Sequence, residues 1–260
     1  MSGWIVKHIP PGLLLLLLVV LIAGGAMFLV AVVRRRFPAL TGDEHNDVTK
    51  FTYGFIGFIY AFFIGFVVSS MWGQTNSADS NARDEGAAAV EMARNLDAFT
   101  PADSDRLRAS LLRYEQAAIA EWDLGTGIRS PETETALAEL TAAYRQVDAS
   151  TDVQKSALAT SMTKLDTVSQ ARTVRLLTAR EDTGPPWPLW AVIFLTSAMV
   201  VGTVVIYGVE KPGMHYPMVA IVGLIVAANL FLILELSHPY LGGIATTSEP
   251  LHEVVSVLTK

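Results

Sequence analysis

Residues 51–72 read FTYGFIGFIYAFFIGFVVSSMW, a predominantly apolar stretch that contains no charged side chain. At a rise of about 1.5 Å per residue, a helix of this length covers the hydrocarbon core of a bilayer, which is roughly 30 Å thick. Aromatic residues near its two ends suit the headgroup level. The stretch therefore predicts a transmembrane helix.

Three more apolar stretches lie on either side of it, at about residues 12–33, 189–209 and 216–236. The first ends in three arginines where a cleaved signal peptide has small residues, so we expect it to stay as an anchor. Hydrophobic residues make up 51% of the chain. The predicted fold class is an all-α membrane protein with four transmembrane helices and a helical bundle inserted between the second and third spans.

The spans divide the chain into four regions. Residues 1–73 form an N-terminal membrane hairpin, and residues 187–237 form a C-terminal one. Between them, residues 74–186 are predicted to be a water-exposed helical domain, and residues 238–260 a C-terminal tail. The inserted region holds 12 Lys or Arg and 18 Asp or Glu, which accounts for the net charge of −6 of the whole chain.

Capping signals predict the helices of the inserted region. Thr100 and Pro101 begin one helix, Ser130 and Pro131 begin another, and a longer one follows from about Asp152. Upstream, the second-span helix either runs on into the inserted region or restarts after residues 73–76. Apolar residues at helical spacing indicate that these helices pack as a small bundle.

Composition excludes several functions. A basic stripe for nucleic acid is missing, and so is cysteine, which removes thiolate metal sites and cysteine nucleophiles. The five histidines are scattered, and the sequence holds no HExxH, phosphate loop or GxSxG motif. We therefore expect no enzymatic activity, no bound metal and no cofactor, and we expect membrane lipids as the surrounding partners.

Four spans place both termini and the inserted domain on one side of the membrane. The short loops 34–50 and 208–215 lie on the other side and carry most of the remaining basic residues: Arg34, Arg35, Arg36, Lys50 and Lys211. Basic short loops stay in the cytoplasm, whereas long domains translocate largely regardless of charge. The predicted topology has cytoplasmic loops and an extracytoplasmic domain and termini.

The second span carries two neighbouring strips of side chains at a spacing of four residues. Small residues form the first strip, at Gly57, Ala61 and Gly65, on which another helix can pack closely. Phenylalanines form the second strip, about 100° further round the helix, at Phe58, Phe62 and Phe66. In an oligomer the rings could line a central constriction that gates by dewetting. Alternatively, they face lipid or a neighbouring helix.

Two polar residues occur in the fourth span. Asn229 lies near its middle, where an amide either hydrogen-bonds a neighbouring helix or contributes to a polar pathway. Glu235 lies close to its end, where we expect it to be solvated, and it is a candidate charge at a pore mouth.

Two motifs resemble those of a known family. Residues 56–66 read IGFIYAFFIGF, and residues 232–258 read LILELSHPYLGGIATTSEPLHEVVSVL. Through these motifs the chain resembles the bacterial bestrophin-like proteins of unknown function and, more distantly, the bestrophin anion channels. The resemblance implies a multi-pass protein of the bacterial plasma (inner) membrane that forms a homo-oligomer, in bestrophins a pentamer.

The resemblance also implies a function. The bestrophin neck lies on the second helix at i, i+4 and i+8, which corresponds here to Phe58, Phe62 and Phe66. The chain departs from bestrophins after the neck, where it reads VVSSMWGQ instead of polar and basic residues. Bestrophins also keep their termini in the cytosol, against the charge argument above. The predicted function is an ion channel, by resemblance an anion channel; the alternative is a non-conducting scaffold or sensor whose helical domain binds a protein partner.

Overall fold

A computed structural model describes residues 2–37, 46–125, 127–180, 183–207 and 212–260 of the chain. In these residues all regular secondary structure is helical. The chain divides into two compact units. Unit 1 comprises Met1–Gly73 and Thr183–Ile244, and unit 2 comprises Gln74–Asp182 and Ala245–Lys260.

Unit 1 is built from the apolar helices. Its elements are α1 (Ser2–His8), α2 (Pro11–Val19), a π-helical segment (Val20–Gly24), α3 (Gly25–Arg36), the first half of α4 (Asn46–Asn95), α8 (Trp187–Ile206) and α9 (Pro212–Leu236). Four stretches are long and apolar enough to cross a membrane: Pro11–Arg36, a part of Phe51–Ala98, Trp187–Ile206 and Gly213–Leu236. The prediction of four helices with the length and apolar character of membrane spans is confirmed. Residues 38–45 and 208–211 of the two short loops, which include Lys211, lie outside the described residues.

The second span belongs to a helix of 50 residues, α4, which continues without interruption from Asn46 to Asn95. Of the two alternatives for residues 73–76, the continuous helix is therefore correct. Glycine in a helix interior costs only about 1 kcal/mol, so a single Gly73 does not end a helix of this length.

The core of unit 1 lies along one side of α4. Tyr60, Ile64, Val67 and Met71 are buried at helical spacing and pack in one cluster with residues of α8 and α9, among them Ile193. This spacing puts the four side chains on one stripe of the helix. The opposite stripe of α4 takes no part in the cluster.

The first and fourth spans cross at very close range. A Cβ atom added to Gly223 of α9 would lie 2.6 Å from the Cα of Ala23 in the π-helical segment. Only a glycine allows two helix backbones to approach this closely. The crossing fixes the position of the π-helical segment, which the sequence does not predict.

Unit 2 contains the second half of α4, a 3-10 turn (Leu96–Ala98), α5 (Pro101–Leu124), α6 (Pro131–Arg145), α7 (Asp152–Arg180) and α10 (Glu249–Leu258). The predicted helix starts at Pro101, Pro131 and Asp152 are confirmed. At the first of them, the Thr100 hydroxyl accepts a hydrogen bond from the Asp103 N–H at 3.3 Å. Such a cap satisfies one of the free N–H groups of the first turn.

Residues that the sequence assigned to a tail form part of this unit. Leu251, Val254 and Leu258 of α10 are buried in the same core as Leu107 and Leu111 of α5. A Cβ atom added to Gly86 of α4 would lie 2.6 Å from the Pro250 carbonyl oxygen, so α10 also packs tightly on α4.

Candidate functional site

Three phenylalanines form an exposed face on α4, which we call the ring face: Phe58, Phe62 and Phe66. Their exposed fractions are 71%, 73% and 70%. Ile64, two residues from Phe62 and therefore about 200° away round the helix, is only 2% exposed. The ring face thus points away from the core of its own unit. Within the described residues the ring face is uncovered, so lipid or another copy of the chain can pack against it.

The small residues beside it form the glycine strip: Gly57, Ala61 and Gly65. A Cβ atom added to Gly57 or Gly65 would meet no heavy atom within 4 Å. Within one chain, the described residues therefore do not use this strip for close packing. Its small side chains leave room for a helix from a second copy.

The polar group in the middle of the fourth span has partners on other spans. The Asn229 side chain hydrogen-bonds the Tyr60 hydroxyl of α4. Tyr60 also lies 3.5 Å from the Ser197 hydroxyl of α8. Three spans are thus joined by polar side chains inside an otherwise apolar core, the arrangement that links helices in membranes.

Glu235 does not match its predicted environment. We expected a solvated carboxylate, but the residue is 2% exposed within the chain, so this expectation is wrong. The residues after α9 fold back over it, and its Oε2 accepts a hydrogen bond from the Gly243 N–H at 2.8 Å. Gly242 has a φ of 93°, and a Cβ atom there would lie 2.6 Å from the same oxygen. The turn that buries Glu235 therefore requires glycine.

An apolar cleft of about 390 Å³ lies between the first, third and fourth spans of unit 1. Leu21, Leu29, Phe194 and Val226 are among its lining residues, and Ser197 is the polar exception. A cleft with such walls has no side chains that replace the water around an ion.

The histidines with described contacts each bind different groups. His215 is buried, accepts a hydrogen bond from the Arg34 guanidinium at 3.1 Å and lies 3.0 Å from the Val204 carbonyl oxygen. His238 contacts the Ser2 hydroxyl at 3.1 Å. His45 lies outside the described residues. Within the part of the chain that is described, no group of three or more His, Asp or Glu is arranged to hold a metal ion.

Unit 2 contains a second polar site, which we call the charge cluster: Glu85, Glu121, Arg172 and Arg175. All four residues are at most 4% exposed. Arg172 donates to both oxygens of Glu121, at 2.8 and 2.7 Å, and Arg175 donates to both oxygens of Glu85, at 3.1 and 3.1 Å. The cluster thereby connects α4, α5 and α7 through planar two-point pairs, the strongest geometry for such contacts.

Further groups complete the surroundings of the cluster. The Arg175 guanidinium lies 4.6 Å from the centroid of the Trp122 ring, a cation–π contact. Glu134, partly exposed, accepts a hydrogen bond from Arg172 at 3.0 Å. Burial alone would lower the pKa of Arg172, but hydrogen bonds from its guanidinium to Glu121 and the charge of that carboxylate outweigh burial and raise this pKa.

Sequence reasoning missed the charge cluster, although one signal was available. Along α7 the buried stripe that includes Leu165 and Leu176 also includes Arg172. A charged residue in register with a core stripe must be paired, because an isolated buried charge is prohibitively costly. Its partners Glu134 and Glu121 lie 38 and 51 residues away along the chain, so spacing alone could not identify them.

The apolar helices and the site on α4 define an all-helical, membrane-spanning protein. Residues 20–251 match the family model described as the bestrophin-like domain. The chain belongs to the bestrophin-like family, as its two motifs indicated.

The fold is that of known bacterial relatives. Two crystal structures of single-site variants of a bacterial bestrophin homologue from Klebsiella pneumoniae are similar to this chain. For the first, the TM-score is 0.71 at 12% identity, with 95% of this chain and 99% of that chain covered. For the second, the TM-score is 0.69 at 14% identity, with 94% of this chain and 97% of that chain covered. No significant match was found among curated proteins.

Proposed function

We propose that this protein is an ion channel of the bestrophin type, formed by several copies of the chain around a common axis. The observation that carries the proposal is the ring face. Three phenylalanines on the second span of a bestrophin-like protein are about 70% exposed and opposite the core of their own unit. Around a shared axis they form an apolar neck, which can block ions by excluding water.

In this proposal the glycine strip packs against the second span of a neighbouring copy. The strip and the ring face are adjacent on α4, so a copy seated on the strip brings the rings close to the axis. We take five as the number of copies from the family resemblance. Bilayer lipid surrounds the remaining apolar surface of the spans.

The polar residues of the fourth span have a supporting role here. Asn229 is engaged with Tyr60, and Glu235 is buried beneath Gly243, so we propose that they hold helices together and do not line the conduit.

We assign residues 74–186 to a water-exposed helical domain inserted between the second and third spans. By the charge argument, the domain and termini face outward from the plasma membrane and the short loops face the cytoplasm.

Flux into liposomes tests the channel. The purified protein is reconstituted, and chloride and potassium fluxes are measured separately, because the residues after the neck leave the ion open. We expect flux of at least one of the two ions. Phe62→Ala should raise it by about tenfold or more, since a wider and less apolar neck lowers the barrier, and tenfold corresponds to about 1.4 kcal/mol.

The matched control is Phe28→Ala on the first span. Phe28 is 69% exposed, nearly the same as Phe62, but lies outside the second span. Its flux should equal that of the wild type. If neither ion crosses with the wild type or with Phe62→Ala, although both are reconstituted as oligomers, the channel is excluded.

The alternative is a non-conducting scaffold or sensor whose helical domain binds a protein partner. The four-residue charge cluster favours a rigid domain of this sort, because it connects three helices of unit 2. A chain that stays monomeric in both detergent and nanodiscs would remove the shared axis and leave this alternative.

A further inference from the structure

One buried carboxyl group in unit 2 has no ion-pair partner. Glu115 is 1% exposed, and neither of its side-chain oxygens has a hydrogen-bond partner among the described residues. In the nearby charge cluster, by contrast, each guanidinium is matched to a buried carboxylate. Glu115 is therefore a surplus carboxyl group in the same interior.

The charges that act on Glu115 differ in sign. On α4 the negative charge of Glu85 disfavours a carboxylate at this position, and on α7 the positive charge of Arg175 favours one. Arg175 donates from Nε and Nη2 to the two oxygens of Glu85, and its guanidinium carbon lies 4.6 Å from the centroid of the Trp122 ring. On α5 itself the neighbouring Tyr114 is buried, and its hydroxyl has no partner among the described residues.

Burial is the largest cause that raises the pKa of Glu115 well above its ordinary value, and the negative charge of Glu85 raises it further. The positive charge of Arg175 lowers it, but by less. Geometry and electrostatics agree, because a neutral carboxylic acid avoids both the desolvation of a carboxylate and its repulsion from Glu85.

We propose that Glu115 is a proton-binding site of unit 2, occupied by a proton in the folded protein at neutral pH. Release of this proton leaves a second negative charge, subject to the repulsion of Glu85 and without a hydrogen-bond donor among the described residues, in the core that α4, α5 and α7 share. The ligand is H⁺, and the site depends only on residues of unit 2. This proposal is therefore independent of the proposed ion conduction.

Infrared spectroscopy of the full-length protein in nanodiscs tests the site directly. A protonated carboxyl group gives a C=O stretching band that a carboxylate lacks. We expect this band at neutral pH in the wild type and a loss of intensity in Glu115→Gln. Glu253→Gln, at an exposed position of α10, should leave the band unchanged.

An unchanged band in a folded Glu115→Gln protein would overturn the proposal. If this variant does not fold, the wild type labelled with ¹³C on the glutamate carboxyl carbon is measured beside Glu115→Asp labelled in the same way, whose residue 115 is an acid without the label, so a difference in the shifted band belongs to Glu115. The isotope-shifted acid band should then be present at neutral pH and disappear as the pH is raised into the alkaline range. Its absence at neutral pH would equally overturn the proposal.

Discussion

Arg172 and Glu121 form a two-point ion pair in the interior of unit 2, with Nε to Oε2 at 2.8 Å and Nη2 to Oε1 at 2.7 Å. Their side chains are 1% and 0% exposed. Glu121 also accepts a hydrogen bond from the Ser130 N–H at 2.6 Å, just before α6 begins. One carboxylate therefore ties together α5, α7 and the start of α6.

Glu121→Gln should destabilise unit 2 by about 3 kcal/mol, because it leaves the buried guanidinium without its main counter-charge. Hydrogen exchange of α5 and α7 peptides, measured by mass spectrometry on the full chain, reports this as lower protection. The control is Glu139→Gln, whose partner Arg113 is 69% exposed. That exposed pair should contribute no more than about 1 kcal/mol. Equal effects of the two variants would contradict a dominant role for the buried pair.

Glu115→Gln should change how the stability of unit 2 depends on pH. The folded state keeps the Glu115 proton to a higher pH than the unfolded state, whose carboxyl has a pKa of about 4.3. Between these two pKa values the unfolded state binds fewer protons, so the free energy of unfolding falls as pH rises. The contribution of the neutral acid is complete below the unfolded pKa and is lost as pH rises through the raised pKa of Glu115.

The fall amounts to at most about 1.4 kcal/mol per pH unit. The neutral amide of the variant should remove this fall. The free energy of unfolding of the variant should therefore rise relative to that of the wild type as pH increases. The measurement is hydrogen exchange of α5 peptides in both proteins at matched pH values. A stability difference that stays constant from pH 5 to pH 8 would mean that Glu115 does not titrate differently in the two states.

Gly57→Leu and Gly65→Leu should weaken self-association. At either position an added Cβ meets nothing within 4 Å, so the described residues of one chain do not oppose the start of a larger side chain. Any loss must then arise between copies, where the larger side chain keeps helices apart. Native mass spectrometry in detergent gives the oligomer distribution.

The control for these variants is Gly202→Leu on the third span, where an added Cβ also meets nothing within 4 Å. Its oligomer distribution should match that of the wild type. If all three leucine variants assemble equally well, the glycine strip is not an interface.

Gly223→Ala should destabilise unit 1 by about 1–3 kcal/mol, the usual cost of overpacking. The added methyl group would lie 2.6 Å from the backbone of Ala23, which cannot move aside as a side-chain end can. Gly202→Ala serves as the control in the third span. Thermal unfolding in detergent should show a lower midpoint for Gly223→Ala alone. An unshifted midpoint would mean that the two helices cross at a greater distance.

Cysteine labelling should determine the topology, because the chain contains no native cysteine. Asp148→Cys lies at an exposed position of unit 2, and Thr41→Cys lies in the short loop outside the described residues. By the charge argument, a membrane-impermeant maleimide added to intact cells should modify the first and spare the second. The reverse pattern would place the domain in the cytosol, as in bestrophins.

Local sequence was sufficient for the four spans and for three helices of unit 2, but not for α1, the π-helical segment or α10. The four spans follow from apolar runs of bilayer length, and the starts of α5, α6 and α7 follow from caps and prolines, all of which depend on neighbouring residues. The ring face and the glycine strip also follow from the sequence, because a spacing of four residues fixes a direction on a helix. The family follows from two short motifs.

Tertiary structure alone decided how the polar groups are used. Arg175 and Glu85 are 90 residues apart in the sequence, and Glu235 is buried by a turn that follows its own helix. Whether a charge is paired, solvated or left with a proton depends on the groups that distant segments bring to it, which no periodicity encodes. The sequence determined where the four spans and three helices of unit 2 lie, and packing determined which carboxyl groups are buried and which groups they pair with.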